Sequence, residues 1–69
     1  MHHLVTMEME TDGRWIAEVE AIPGALAYGG TPDEAAARVE ALVLRVLADR
    51  LEHGELGAAG LAISFERAA

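Results

Sequence analysis

From Leu4 to Glu10 apolar and polar positions alternate, with Val5, Met7 and Met9 on one parity and Thr6, Glu8 and Glu10 on the other. That is the period of a half-buried strand. A second alternation follows the break at Thr11-Asp12-Gly13. Over Arg14 to Glu20, Trp15, Ala17 and Val19 share one face, and Ile16, Glu18 and Glu20 take the other. Two such segments around a Gly-containing turn predict a hairpin. A one-residue slip inverts a strand's faces, so loop length fixes the register. A two-residue loop sets Met9 opposite Ile16 and Met7 opposite Glu18, which mixes the faces. A three-residue loop with Gly13 left-handed pairs Met9 with Trp15, Met7 with Ala17 and Val5 with Val19. On the other face it pairs Glu10 with Arg14, Glu8 with Ile16, Thr6 with Glu18 and Leu4 with Glu20.

Ala21-Ile22-Pro23-Gly24 has the residues of a type II turn, and Ala25 to Tyr28 reads as a short third strand. After Gly29-Gly30, Thr31-Pro32-Asp33-Glu34 reads as a capping box with Thr at N-cap, Pro at N1 and Glu at N3. The helix it opens is expected to reach about His53, with Gly54 left-handed beyond its end. Ala35, Val39, Leu42, Val43 and Val46 fall in one arc of the helical wheel and are expected to cover the sheet. Leu44, Leu47 and Leu51 form a second stripe turned away from the first, expected to meet the C-terminal tail or to serve as an oligomer interface. Glu55 to Gly60 reads as a flexible connection. Alternation of Leu61, Ile63 and Phe65 with Ala62, Ser64 and Glu66 predicts a last strand. The element order is β-β-β-α-β, and a meander of the first three strands with the fourth beside the first gives sheet order 3-2-1-4, the helix covering one face.

Composition narrows the function. Residues 1–69 make one domain at most. A chain this small buries little surface, and with no cysteine, disulfide staples, thiolate metal sites and a Cys nucleophile are excluded. Self-association or a partner protein is the remaining support. The net charge of −7, five arginines and no lysine argue against direct nucleic-acid binding, which needs clustered cations, and favour a basic protein partner. No apolar run approaches the ~20 residues of a membrane span, and Met1-His2-His3 lacks the features of a signal peptide, so a cytoplasmic protein is expected.

In the chosen register Glu8, Glu10, Glu18 and Glu20 share the helix-free face. Clustered carboxylates on strands can hold divalent ions in two-metal nucleases, but this sheet has no Asp packed near the helix. The plainer readings are a solvated face or a surface for a cationic partner. No metal, cofactor or catalytic residue is assigned. His2 and His3 point to opposite faces if in a strand and are expected to fray. His53 sits where a cation interacts with the helix dipole. Ser64, the only serine, is expected to have no His or carboxylate beside it. Gly29-Gly30 matches no phosphate-binding fingerprint, and Trp15 is expected in the core.

The run from Asp12 to Ala35 joins an acidic-Gly turn, Trp15, Ala17, Val19, Ile22-Pro23-Gly24, Gly30-Thr31 and Glu34-Ala35 in an order that resembles the HicB-like antitoxin family. With the flanking strand and helix the similarity covers about Leu4 to Glu52. It implies an α+β, partial RNase H fold and a non-catalytic domain that binds and masks a small, basic ribonuclease toxin of the HicA type. The small core and the leucine stripe add the expectation of a homo-oligomer, a dimer or tetramer. Many members carry a C-terminal DNA-binding module. Here only Arg67-Ala68-Ala69 follows Glu66, so the expectation is a standalone type. Ala25 stands where many members have Cys.

Overall fold

A computed structural model describes residues 1–68. It is α+β: β1 (His2–Met9), β2 (Trp15–Glu18), β3 (Leu26–Gly29), α1 (Pro32–Glu52) and β4 (Ser64–Ala68). The sheet is mixed, in the expected order β3-β2-β1-β4. β1 and β2 pair antiparallel as Thr6 with Glu18, Met7 with Ala17, Glu8 with Ile16 and Met9 with Trp15. Gly13 at φ 90° closes the three-residue loop, and the Glu10 amide donates to the Arg14 carbonyl at 2.7 Å. Parity thus selected the observed register: only this loop puts both apolar sets under the helix.

β2 is shorter than its alternation suggests. It ends at Glu18 because the chain turns at once, the Ile22 amide bonding the Val19 carbonyl and the Ala25 amide the Ile22 carbonyl. Gly24 takes φ 82°, as the type II turn requires. At Gly29 a side chain would collide with helix backbone: a Cβ there lies 2.5 Å from the Ala35 nitrogen. The missing side chain lets the end of β3 lie directly against the first turn of α1.

The helix begins where its cap is written. Thr31 Oγ1 accepts from the Glu34 amide at 3.1 Å, and Glu34 in return accepts from the Gly30 amide rather than that of Thr31. This carboxylate fills the turn that an anion would otherwise use. At the other end His53 caps α1: its amide bonds the Asp49 carbonyl and Nδ1 lies 2.7 Å from that oxygen, with Gly54 left-handed after it.

The core is Val5, Ala17, Val19, Ile22 and Ala25 from the sheet side and Ala35, Ala36, Val39, Val43 and Leu47 from α1. Two expectations about the helix need correction. Leu47 is only 2% exposed and belongs to the core, not to an outward stripe, whereas Leu44 and Leu51 stay 46% and 41% exposed. Leu42 and Val46 are half-buried rather than central. The arc is rotated because the apolar cluster does not stop at the meander: Leu56, Ile63 and Phe65 extend it beyond β1 and draw the Leu47 side of the helix inward. Arg67 bonds Glu40 through two nitrogens at 2.7 and 3.0 Å and reaches Asp33 at 3.4 Å, tying β4 to α1. Trp15 packs half-buried against the core, as its parity requires.

Candidate functional site: the open face of the sheet

The residues not facing α1 form one solvent-facing surface: His2, Leu4, Thr6 and Glu8 from β1, Ile16 and Glu18 from β2, Leu26 and Tyr28 from β3, Ser64 and Glu66 from β4. A depression of about 290 Å³ is lined by Thr6, Met7, Glu8, Glu10, Ile16 and Glu18. Three of the four expected glutamates therefore converge. Glu20 does not line it: β2 has already ended, and Glu20 stands exposed in the turn that follows.

The charge state of this surface sets it apart. Six other carboxylates are matched: Asp12 with Arg14, Asp33 and Glu40 with Arg67, Glu34 with Arg38, Asp49 with His53 and, at the far end of this face, Glu66 with His2. Among the described residues Glu8, Glu10, Glu18 and Glu20 have no such partner, nor do Glu52 and Glu55 beyond the face. Ile16 with uncompensated carboxylates around it makes this depression complementary in charge to a cationic surface. The glutamates do not gather into a cation-sized cluster: among the described residues no three His, Asp or Glu side chains come close enough to share a metal ion.

At the edge of the depression Arg14 lies 4.5 Å from the Tyr28 ring centroid while its Nε bonds Asp12 at 2.7 Å. Hydrogen bonds to the charged form, first from the Arg14 amide and then from its guanidinium, hold the Asp12 carboxyl below its usual value. The turn thus fixes both the register and the one cation on this end of the face.

The far end of the face departs from the sequence reading. His2 and His3 are not frayed but open β1, an interior strand. Ser64 does have neighbours: its Oγ is 2.8 Å from His2 Nδ1, and His2 Nε2 is 3.3 Å from Glu66. The parallel register of β1 and β4, His2 beside Ser64 and Leu4 beside Glu66, brings them together across more than sixty residues of sequence. The hydroxyl, imidazole and carboxylate are all exposed, and the Ser64 amide, which could help hold an oxyanion, is bonded to the Met1 carbonyl. We read this trio as a cross-strand clasp. His3, on the opposite face, stacks obliquely at 6.1 Å on Phe65, with both ring nitrogens buried and without partners.

No family model, curated protein or solved structure matches the chain. Among the described residues no helix is long and apolar enough to cross a membrane.

Proposed function

We propose that the chain is a HicB-like, non-catalytic antitoxin-type protein with a partial RNase H fold, which binds and neutralises a small basic ribonuclease toxin. The observation that carries this reading is the set of unpaired carboxylates, Glu8, Glu10 and Glu18, around the Ile16 depression. The β-β-β-α-β order and the sequence run from Asp12 to Ala35 support it. A toxin that grips RNA presents arginines and lysines to phosphates, and the acidic face competes for those cations. Glu20 contributes from the adjacent turn. The same reading expects a homo-oligomer in the cytoplasm.

The test is purification of the tagged chain from its own cells at low salt, beside a Glu8→Gln/Glu18→Gln variant, with mass spectrometry of what accompanies each. The reading expects a stoichiometric small basic protein with the wild type, much less with the variant, and RNA cleavage by that protein that the wild-type chain suppresses. A chain that emerges alone as a discrete oligomer favours the alternative, a structural or ligand-sensing HicB-like oligomer without a toxin.

A further inference from the structure

The outer surface of α1 carries a pattern distinct from the stripe expected from sequence. With Leu47 buried, Ala37, Ala41, Leu44, Ala48 and Leu51 form one line of exposed and half-buried apolar positions, while the half-buried Leu42 and Val46 lie off that line. Their spacings are 4, 3, 4 and 3 residues. This is a coiled-coil seam on the side of the helix roughly opposite the core, about 21 Å long at 1.5 Å per residue. Alanine and leucine alternate along it from Ala41 to Leu51.

We infer that this seam pairs with the same seam of a second copy of the chain, the two helices running antiparallel about a two-fold axis that crosses the seam at the level of residue 46, between Leu44 and Ala48. In that arrangement Leu44 faces the second copy's Ala48, and Ala41 faces its Leu51. By symmetry both contacts occur twice. Each of these four layers then sets one large side chain against one small one, so the helices keep a single spacing from Ala41 to Leu51, with Ala37 beyond the end of the partner helix. A parallel, in-register pair instead stacks leucine on leucine and alanine on alanine, which leaves a gap at each alanine layer.

Charge fits the antiparallel partner. Arg38, which in its own chain also bonds Glu34 and the Tyr28 carbonyl, flanks one end of the seam and Glu52 the other, and antiparallel pairing brings Arg38 of each copy beside Glu52 of the other. Glu52 has no partner in its own chain among the described residues. Arg45 meets its own symmetry mate near the axis. This is the one unfavourable pair, and the long side chain can keep each head in water. α1 carries Arg38, Arg45 and Arg50 beside Asp33, Glu34, Glu40, Asp49 and Glu52, so the charges on this helix are of both signs, unlike the glutamates of the open sheet face. The inference deepens the self-association part of the proposed function and does not depend on its toxin-binding part.

Sedimentation equilibrium of the full chain at micromolar concentration tests it, and circular dichroism reports folding. The wild type is expected at twice the 7.3 kDa chain mass. Leu44→Glu/Leu51→Glu should raise the dimer dissociation constant more than about a hundredfold while the helix signal stays. Orientation is read in a background with no native cysteine. Ala41→Cys alone should not form a disulfide dimer, since the two sites are about 15 Å apart along the axis. A mixture of Ala41→Cys and Leu51→Cys chains should form mixed disulfides under oxidation. A monomeric wild type, a dimer indifferent to the leucine substitutions, or an Ala41→Cys homodisulfide would overturn the inference. Each is distinguishable from failure of toxin binding, which is read by suppression of RNA cleavage.

Discussion

The open face of the sheet and the outer face of α1 are both exposed and both carry apolar side chains, yet they suit different partners. On the sheet, Ile16 lies among Glu8, Glu10 and Glu18, which have no ion-pair partner among the described residues. Such a surface is unlike in sign to a basic protein and like in sign to a second copy of itself, which is why the proposal gives it a basic partner. On the helix, leucine and alanine form a line and the flanking charges are of both signs, which is the basis for proposing a second copy as its partner. Apolar exposure alone does not define an interface. The charge left unpaired around it decides which partner fits.

The sharpest break between inside and outside runs between Leu44 and Leu47, three residues apart on one helix. Leu47→Ala removes a core side chain and should lower stability by about 2–5 kcal/mol in urea denaturation. Leu44→Ala, measured below the dimer concentration range, should change it by no more than about 0.5 kcal/mol. Equal costs would return Leu47 to the outer stripe. Gly29→Ala acts on the join between the two layers. Forcing a Cβ against the Ala35 backbone should cost about 1–3 kcal/mol.

The two N-terminal histidines sharpen the contrast between the faces of the sheet. His2 has partners in Ser64 and Glu66, whereas His3 buries both nitrogens without one. His3→Leu should therefore raise stability by about 1 kcal/mol, and His2→Leu should not. The smallest effect belongs to the turn. Asp12 contributes stability that is complete above the pKa of an unfolded aspartate and disappears as pH falls through its lower folded value. NMR titration should find its midpoint below that of the same residue in the denatured chain, and Asp12→Asn should remove that component of the acid limb.

Local rules made much of this legible. Strand parity with a three-residue loop left a single register, and Thr31, Glu34 and Gly54 marked the helix ends, because caps and turns are decided by residues a few positions apart. What escaped depended on distant pairing. Leu47 turned inward because Leu56, Ile63 and Phe65 widen the core beyond the meander, and wheel geometry alone does not reveal where a sheet ends. The His2, Ser64 and Glu66 clasp exists only through the parallel register of β1 with β4. Of the acidic site, alternation placed Glu8, Glu10 and Glu18 together. It overreached at Glu20, where the turn at Ile22 ends the strand early.

The central claim is that the unpaired glutamates of the open face neutralise a basic ribonuclease. The most direct test is to titrate the RNA-cleaving activity of the co-purifying basic protein with wild-type chain and with Glu8→Gln/Glu18→Gln. The account predicts that the wild type suppresses cleavage stoichiometrically and that the variant, equally folded, needs about tenfold more at low salt, a gap that narrows as salt screens the contact. Equal suppression by both at every ionic strength would contradict it.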